Sequence, residues 1–352
     1  MKIIVLAHPN DDHAAPVRWA LQQAGYQTAC WSGVSWAEQE QGSLLVDESL
    51  SISLGPHVLE QGDVLWLRQT EHSVDASPYS ALFDELVCML ENLPVRCVNP
   101  YSALRLVRNK AVQLLLAQKS GLKIPETLFS NSPAAVREFF DRHPRDAICK
   151  AFATHVWQQQ GSADVSVTET FSLDREELPA DDEIFTYAPA IYQQKVRKQF
   201  DVRMVLMGDR VYSFAVRTPA NSLDWRHNAA LKKVTVERVD TPAAVESGIL
   251  GFARQTGVCF GSLDFAVDRN GEWWFLEINE QGQFLWLDDF CPQARLLEKF
   301  CAFLTAPLGS AQTLEERLEL FPSTAEYERL HPVKEMLDIT RVSTEAEFKS
   351  ME

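Results

Sequence analysis

The side chains of Asp264, Glu277 and Asn279 carry oxygen atoms at a spacing that suits a metal site. Residues 263–279 predict a β-hairpin, because alternating apolar runs flank an Asn-Gly pair at 270–271 that is typical of a tight turn. If this pair forms the turn, counting outward along both strands places Asp264 directly opposite Glu277. Asn279 follows two residues later and adds a neutral amide oxygen.

The two faces of the second strand of this hairpin have different tasks: one carries the chemistry and the other packs. Its period of two puts Trp273, Phe275, Glu277 and Asn279 on one face. Two carboxylates directly opposite each other in a sheet lie about 5 Å apart and repel unless a cation lies between them. Magnesium is the natural cation, because it prefers oxygen ligands and combines one or two protein carboxylates with water and substrate phosphates. The alternative is a solvated hairpin whose acids bind no metal.

The overall charge makes local cations informative. The chain has 49 acidic and 33 basic residues and a net charge of −16, which argues against binding to nucleic acid or to an anionic membrane. Any bound phosphate must therefore be neutralised by a few particular lysines and arginines.

The apolar run at the N-terminus covers only residues 3–7, which is too short for a signal peptide or a membrane span. The seven cysteines are scattered and never form a CxxC pair, so we expect buried, reduced thiols rather than disulfides or a zinc knot. Both features predict a cytoplasmic protein.

The elements that must position the hairpin form two blocks. Residues 1–100 alternate strand and helix signals, including a strand at 2–7 and a helix at 14–24 capped by Asp12, and predict an α/β unit with a parallel sheet. Strands then dominate after a helix at 105–119, which predicts an α+β body. Beyond residue 304 the regular apolar spacing ends, so we expect a peripheral or partly disordered appendage.

Around the hairpin the sequence resembles the ATP-grasp family, in which an Asp on one strand and Glu-x-Asn on the next carry the metals. The resemblance spans roughly residues 98–304. It rests on NPYSALRLVRNKAVQLLLAQKSGLKIPET, ICKAF, YQQKVRKQFDVRMVLMGDRVYSFAVR, DWRHN, LDFAVD and WWFLEINEQGQFLWL, in the family's order. The closest similarity is to graspetide (microviridin-type) synthetases and ribosomal-protein glutamate ligases. VLWLRQT and NEQGQFLWLDD resemble the graspetide synthetases in particular.

The resemblance implies an α+β ATP-grasp fold, with two α/β lobes that clasp ATP, preceded by an N-terminal α/β pre-ATP-grasp domain. The expected units are residues 1–100 for the N-terminal domain, 101–190 for lobe A, 191–305 for lobe B with the metal site, and 306–352 for the appendage.

The resemblance also implies a nucleotide site with ATP and magnesium as cofactors. Lysines reach the phosphates, a hinge reads adenine, and an acid holds the ribose. These residues are Lys110 and Lys150 for the phosphates, Gln193, Gln194, Lys195 and Val196 for the hinge, and Asp201 for the ribose. A hinge glutamate is usual where this chain has Gln194, which weakens the role of that side chain.

Four further residues, Arg203, Arg217, Arg226 and Asn228, resemble those that face the transferring phosphoryl group. Arg217 has the alternative of an ordinary charge at a strand edge. The implied reaction transfers a phosphoryl group from ATP to a carboxylate, and a hydroxyl or amine then attacks the acyl phosphate.

The expected partner is a peptide or small carboxylate, including a precursor peptide with a leader, and a homodimer is a further expectation. The bond formed lies within the peptide as a side-chain ester or amide, or an intermolecular ligase adds an amino acid or glutamate. Two rival functions belong to other classes. One is a non-catalytic ATP-binding scaffold or sensor. The other is a zinc deacetylase, because AHPNDDH, with His8 and Asp11, is similar to the AHPDDE motif of that class.

Overall fold

A computed structural model describes residues 1–8, 11–33, 40–68, 77–152, 156–158, 165–167, 170–218, 223, 225–226, 233–306 and 314–331.

The N-terminal part of the chain folds around a parallel sheet, as its alternating strand and helix signals predict. Its elements are β1 (Lys2–Leu6), α1 (Ala14–Gln23), β2 (Gln27–Trp31), β3 (Gly42–Val46), β4 (Leu50–Leu54), β5 (His57–Val58), β6 (Val64–Leu67), α2 (Pro78–Met89) and β7 (Arg96–Val98). The sheet has the order β2-β1-β6-β7, and β3, β4 and β5 form a separate antiparallel sheet that was not predicted. Asp11, not Asp12, caps α1, because its Oδ1 accepts from the backbone N–H groups of His13 and Ala14.

A second sheet follows two helices. The elements are α3 (Tyr101–Val107), α4 (Lys110–Lys119), β8 (Thr127–Ser130), α5 (Pro133–Arg142), β9 (Ala147–Lys150), β10 (Val156–Gln158), β11 (Val165–Val167), β12 (Phe171–Ser172), α6 (Glu183–Tyr187) and β13 (Ala190–Gln194). The sheet has the order β12-β9-β13-β8. The single helix predicted over 105–119 is two helices, because the Asn109 side chain accepts from the Val112 N–H at 3.0 Å and starts α4 anew.

The third sheet carries the predicted metal hairpin. Its elements are β14 (Lys198–Met207), β15 (Arg210–Arg217), β16 (Thr235–Val239), α7 (Ala243–Thr256), β17 (Phe260–Asp268) and β18 (Trp273–Asn279). The order is β16-β15-β14-β17-β18, with antiparallel pairing throughout. The chain continues through α8 (Trp286–Phe290), α9 (Leu296–Thr305), α10 (Leu314–Leu318) and α11 (Thr324–Leu330).

This third sheet lies between two apolar cores. One face packs with α3, α4 and α7, and the other packs with the N-terminal sheet and with α9. The helices of residues 101–119 therefore pack on the third sheet, and β13 pairs with β8 and β9 of the second. β13, at residues 190–194, thus lies across the boundary between residues 190 and 191 that the sequence predicts.

The appendage expected beyond residue 304 is not peripheral where the structure describes it. Leu318 and Phe321 are each 5% exposed and join the core beneath α9. Trp19 of α1 makes an edge contact with Tyr327 of α11, with ring centroids 5.3 Å apart. The polar composition of this segment hid two short helices, of which α10 buries Leu318.

All seven cysteines are free thiols. Burial was expected for all of them but holds for only three: Cys30, Cys97 and Cys259 are half-buried and Cys88 is exposed. Within the described part of the chain, no helix is long and apolar enough to cross a membrane.

Candidate active site

The two acids of the hairpin lie directly opposite each other, as the sequence predicts. Asp264 of β17 pairs in register with Glu277 of β18, and Ser262 pairs with Asn279 two positions away. Asn279 therefore shares the face of the two acids. The hydroxyl of Ser262 is fully buried and has no hydrogen-bond partner among the described residues, so this face has unused polar capacity.

The route to this register differs from the prediction. Residues 269–271 form the loop, and Val267 pairs with Trp273, one position out of the expected register. A β-bulge between Asp264 and Phe265, opposite Leu276, restores the register at the acids. The bulge also changes the face of β18 on which a side chain lies: Phe275 packs with Ile278 in the core, not beside Glu277. The face predicted for Phe275 and Trp273 is therefore wrong, because the extra residue interrupts the period of two.

Two arginines neutralise these acids. Arg203 Nη1 donates to Asp264 Oδ1 at 2.9 Å. Arg226 Nη2 donates to Asp264 Oδ2 at 2.7 Å and to Glu277 Oε1 at 2.8 Å. Asp264 and Arg203 are only 4% and 2% exposed, whereas the Arg226 side chain is 38% exposed. Guanidinium groups therefore relieve the repulsion expected between the carboxylates.

The Glu277 carboxylate is held in its ionised form. Burial by itself would raise its pKa, but the nearby positive charges of Arg226, Lys150, Lys110 and Arg203 outweigh burial and lower the pKa to about 2. Both predicted phosphate lysines thus lie within electrostatic range of Glu277. Lys110 is exposed at the first turn of α4, where the backbone N–H groups also favour an anion.

Lys150 is oriented by the neighbouring strand. Its ammonium group donates to Gln193 Oε1 at 2.9 Å, and Gln193 Nε2 donates to Thr127 Oγ1 at 2.9 Å. Gln193 is 3% exposed. Its amide is therefore used to fix Lys150 from β13.

The hinge residues follow Gln193 directly. The Lys195 N–H donates to Asp146 O at 2.8 Å, so a base at the hinge would use the Lys195 carbonyl and the Val196 N–H. Asp201 is 4% exposed, and its carboxylate lies 2.7 Å from the ammonium group of Lys198.

A cavity of about 90 Å³ brings these groups together. Its walls include Ile148, Lys150 and residues 193–196 on one side, and Arg226, Asp264, Ala266, Leu276 and Glu277 on the other. An adjoining cavity of about 950 Å³ shares the hinge and Asp201 but is not lined by Lys150 or the two acids. The smaller cavity therefore brings Lys150 and Arg226 to the two acids, whereas Lys110, Arg203 and Asn279 are not among its lining residues.

Arg217 is not brought to this site. Adjacent strand residues alternate faces, and Val216 lies opposite Asp201, so Arg217 faces away from the acids. Its guanidinium carbon lies 4.4 Å from the centroid of the Phe200 ring, and its Nη2 lies 2.8 Å from Oε1 of Glu237. We therefore interpret Arg217 as an ordinary charge at a strand edge, not as a residue that faces the phosphoryl group. Asn228 lies outside the described residues.

Two buried amide side chains that the sequence analysis did not single out fix the hairpin in place. Asn99 Oδ1 accepts from the backbone N–H groups of Cys259 and Phe260, each at 2.8 Å, and its Nδ2 donates to Phe260 O at 2.8 Å. Gln113 of α4 binds the backbone of Ile278. Their sequence neighbours carry no signal of these long-range contacts.

The deacetylase-like motif has a different role. Asp11 pairs with the fully buried Arg68 at 3.3 Å, and the His13 ring stacks on Phe284. Across the described ranges, no group of three or more His, Cys, Asp and Glu residues could hold a metal ion.

The hairpin fits magnesium better than a metal held only by protein groups. It offers two opposed carboxylates, with the amide of Asn279 on the same face. Magnesium binds through one or two carboxylates and takes its other ligands from water and phosphate. Lys150 on the opposite wall of the cavity would meet that phosphate.

No protein-family model and no curated protein matches the chain. Solved structures do match. A RiPP-associated ATP-grasp ligase of Chryseobacterium gregarium, in complex with ADP and a leader and core peptide, has a TM-score of 0.72 at 24% identity. The match covers 87% of this chain and 97% of that one.

The macrocyclase MdnC from Microcystis aeruginosa MRC, bound with the precursor peptide MdnA, has a TM-score of 0.69 at 22% identity, over 83% of this chain and 95% of that one. The ATP-grasp ligase PsnB, complexed with a phosphomimetic variant of a minimal precursor, Mg and ADP, has a TM-score of 0.66 at 21% identity, over 86% and 97%.

The chain has the ATP-grasp fold. In this ATP-grasp fold the sheets β12-β9-β13-β8 and β16-β15-β14-β17-β18 each supply a wall of the cavity described above.

Proposed function

We propose that this chain is an ATP-dependent, magnesium-requiring ligase that activates a carboxylate as an acyl phosphate and joins it to a hydroxyl or amine. The observation that carries the proposal is the direct opposition of Asp264 and Glu277 on the wall of a cavity that also contains Lys150 and the hinge. Oxygen ligands for a metal, cations for phosphates and a base-binding edge thus meet in one place.

The residues divide the work by charge. Asp264, Glu277 and Asn279 would hold magnesium, which would neutralise phosphate charge when bound. Lys150 and Lys110 neutralise non-bridging phosphate oxygens. No protein nucleophile is needed, because positioning and charge neutralisation supply most of the catalysis.

The remaining site residues act on the base, the ribose and the developing acyl phosphate. Adenine lies against the hinge at the Lys195 carbonyl and the Val196 N–H, beside Gln194, and Asp201 binds the ribose. Arg203 and Arg226 stabilise the transferred phosphoryl group from the side of the acids. Asn228 keeps its predicted role of facing the transferring phosphoryl group in this scheme.

The reaction balances without a further co-reactant. The substrate carboxylate attacks the γ-phosphorus, ADP leaves, and an acyl phosphate forms. A hydroxyl or amine then attacks the acyl carbon, losing its proton to solvent or phosphate, and inorganic phosphate leaves.

We propose a peptide as the substrate, with the new ester or amide linking two of its own side chains. The solved structures with leader, core or precursor peptides support this choice. A nucleophile on the same chain as the acyl phosphate has a high effective concentration. A separate leader segment would concentrate the core at the site.

The N-terminal unit, residues 1–100, would serve as the pre-ATP-grasp domain, with lobes A and B following at 101–190 and 191–305 and the appendage at 306–352. A homodimer and a cytoplasmic location remain predictions.

The test is co-expression with short precursor peptides rich in Thr, Ser, Asp and Glu, followed by mass spectrometry and an ADP-release assay. Intramolecular ligation removes one water per bond and produces a ring that resists fragmentation. A product heavier by an amino acid would assign the chain to the intermolecular ligases instead. ADP-binding protein that consumes no ATP with any peptide would favour the scaffold or sensor.

Lys150→Met provides the site control. We expect it to weaken ATP binding at least tenfold, whereas Lys119→Met, at an exposed position on α4, leaves binding unchanged. Equal binding by both variants would contradict the assignment of the phosphate site.

A further inference from the structure

Two segments of the N-terminal unit meet the loop that follows the metal hairpin. Asp11 follows β1, and Arg68 directly follows β6. These strands are neighbours in the order β2-β1-β6-β7, where the chain crosses from one side of β1 to the other. In open parallel sheets the crevice at this switch point, beyond the carboxyl ends of the strands, is where ligands bind. Here the crevice contacts the chain's own loop, residues 281–284.

Arg68 is the link between crevice and loop. It is fully buried; its Nε donates to Asp11 Oδ1 at 3.3 Å, and its Nη1 donates to the Gln281 carbonyl at 3.1 Å. The Asp11 carboxylate also caps α1. A guanidinium group reaches an acid and a carbonyl at once because its donors form a rigid planar fork, which a lysine lacks.

The same loop is held from the other side by a residue of the active site. Arg203 Nη2 donates to the Gln283 carbonyl at 2.9 Å, and its Nη1 donates to Asp264 at 2.9 Å. Trp286 Nε1 also donates to the Gln283 carbonyl, at 3.2 Å. The position of Arg203 relative to the metal-binding acid therefore depends on where the loop holds Gln283.

The loop between the two arginines has little freedom. Gly282 has a φ of +63°, and a Cβ at this residue would meet the Phe260 ring at 2.4 Å. Phe284 stacks on His13, with ring centroids 5.7 Å apart. A displacement at Gln281 is therefore passed to Gln283 rather than absorbed between them.

We infer that Arg68, held by Asp11, is a positioning residue of the active site: through the 281–284 loop it fixes Arg203 against Asp264 for phosphoryl transfer. The inference rests on the proposed function for its catalytic part. It assigns the N-terminal unit a direct task in assembling the reaction centre, and it gives the AHPNDDH and VLWLRQT segments a common purpose.

The experiment compares Arg68→Lys with a matched control, Arg96→Lys. Arg96 also joins the N-terminal unit to backbone carbonyls elsewhere, donating to Phe303 O at 2.8 Å, but it contacts the end of α9 and not the loop. Three quantities are measured on the full chain: kcat and KM for ATP with an accepted peptide, the Kd for ADP, and hydrogen exchange of the peptide covering residues 280–288.

We expect Arg68→Lys to lower kcat at least tenfold, to leave the Kd for ADP within about twofold, and to speed exchange in 280–288 at least fivefold. Arg96→Lys should change none of these three quantities, even if its Tm falls by as much as that of Arg68→Lys. The double variant Asp11→Asn/Arg68→Gln removes both charges together and should reproduce the loss of kcat without an unpaired buried charge, so it serves if Arg68→Lys does not fold.

Unchanged kcat in a folded variant at residue 68 would overturn the inference. So would a lowered kcat with unchanged exchange in 280–288, because the loop would not be the route. Equal losses of kcat in both lysine variants would show a general stability effect and overturn it too. If the parent protein turns over no ATP with any peptide, the proposed function fails, while exchange that is faster only in the Arg68 variant still supports the role of Arg68 in fixing the loop.

Discussion

The side chain of Gln113 binds the backbone of Ile278 as a neighbouring strand would. Its Nε2 donates to the Ile278 carbonyl at 3.1 Å, and its Oε1 accepts from the Ile278 N–H at 3.0 Å. β18 is an edge strand, so these groups would otherwise lack a ladder partner. Glu277 is the preceding residue, and α4 thus fixes the strand that carries one of the two acids.

Gln113→Leu should weaken both the fold and the metal site. The buried Ile278 groups lose their partners, which costs about 1–3 kcal/mol in the free energy of unfolding. Urea denaturation measures this loss, and titration with Mg²⁺ and ADP measures the site. Gln118→Leu, at an exposed position on the same helix, should change stability by no more than about 0.5 kcal/mol. Equal effects of the two changes would contradict the bracing role of Gln113.

Asp264→Asn and Glu277→Gln should each lower turnover by on the order of 100-fold, because each removes charge that binds the metal. Their stabilities should differ. Neutralising Asp264 leaves the buried Arg203 without its counter-charge and costs about 3 kcal/mol. Glu277→Gln should cost less, because Glu277 is 29% exposed and Arg226 retains Asp264.

If the two opposed acids had no other partners, neutralising either one would stabilise the fold, because their mutual repulsion would be removed. The paired arginines reverse that expectation for Asp264. Chemical denaturation of Asp264→Asn without metal distinguishes a gain of stability from a loss. Asp209→Asn, in an exposed turn, is the control. A more stable Asp264→Asn protein would show that the ion pairs with arginine do not hold in solution.

His13 should make the fold sensitive to mild acid. Burial, together with the nearby charge of Arg68, lowers its pKa to about 3, from about 6.5 when unfolded. Below pH 6.5 the unfolded state binds a proton that the folded state does not. The contribution of His13 to the free energy of unfolding is therefore fully present above pH 6.5 and is lost progressively toward pH 3. Between pH 6.5 and 5 the loss is about 2 kcal/mol.

His13→Phe keeps a ring to stack on Phe284 and removes the titration. The difference in unfolding free energy between parent and variant, measured at pH 7 and pH 5, isolates this residue from other titrating groups. The parent should lose about 2 kcal/mol more than the variant. A constant difference across the two pH values would mean that His13 titrates normally.

Arg217→Gln should leave turnover within about twofold of the parent, since its ion pair with Glu237 is exposed and contributes little. Arg203→Gln should lower kcat by on the order of 100-fold, because Arg203 binds the metal-site acid directly. Steady-state assays of both variants decide the matter. A large loss with Arg217→Gln would return this residue to the reaction centre.

Local chemistry was readable where it depended on neighbours in sequence. The alternating signals of the first 100 residues give a parallel sheet, and the helix predicted at 14–24 is α1. The opposition of Asp264 and Glu277 was also predicted, although the count reached it through a turn register one position different from the real one. The bulge at Leu276 compensates for that difference, and no composition rule signals a bulge there.

The sequence by itself determined which side chains could carry charge and oxygen ligands, because those properties belong to the residue. Tertiary structure alone decided which of them meet. Arg226 reaches both acids from a separate segment, Arg217 is turned to the opposite face by strand parity, and Arg68 extends from the N-terminal sheet to the loop at Gln281. These outcomes depend on how sheets pack over long sequence separations, and backbone carbonyls, which accept many of the deciding hydrogen bonds, are the same in every residue and leave no mark in the sequence.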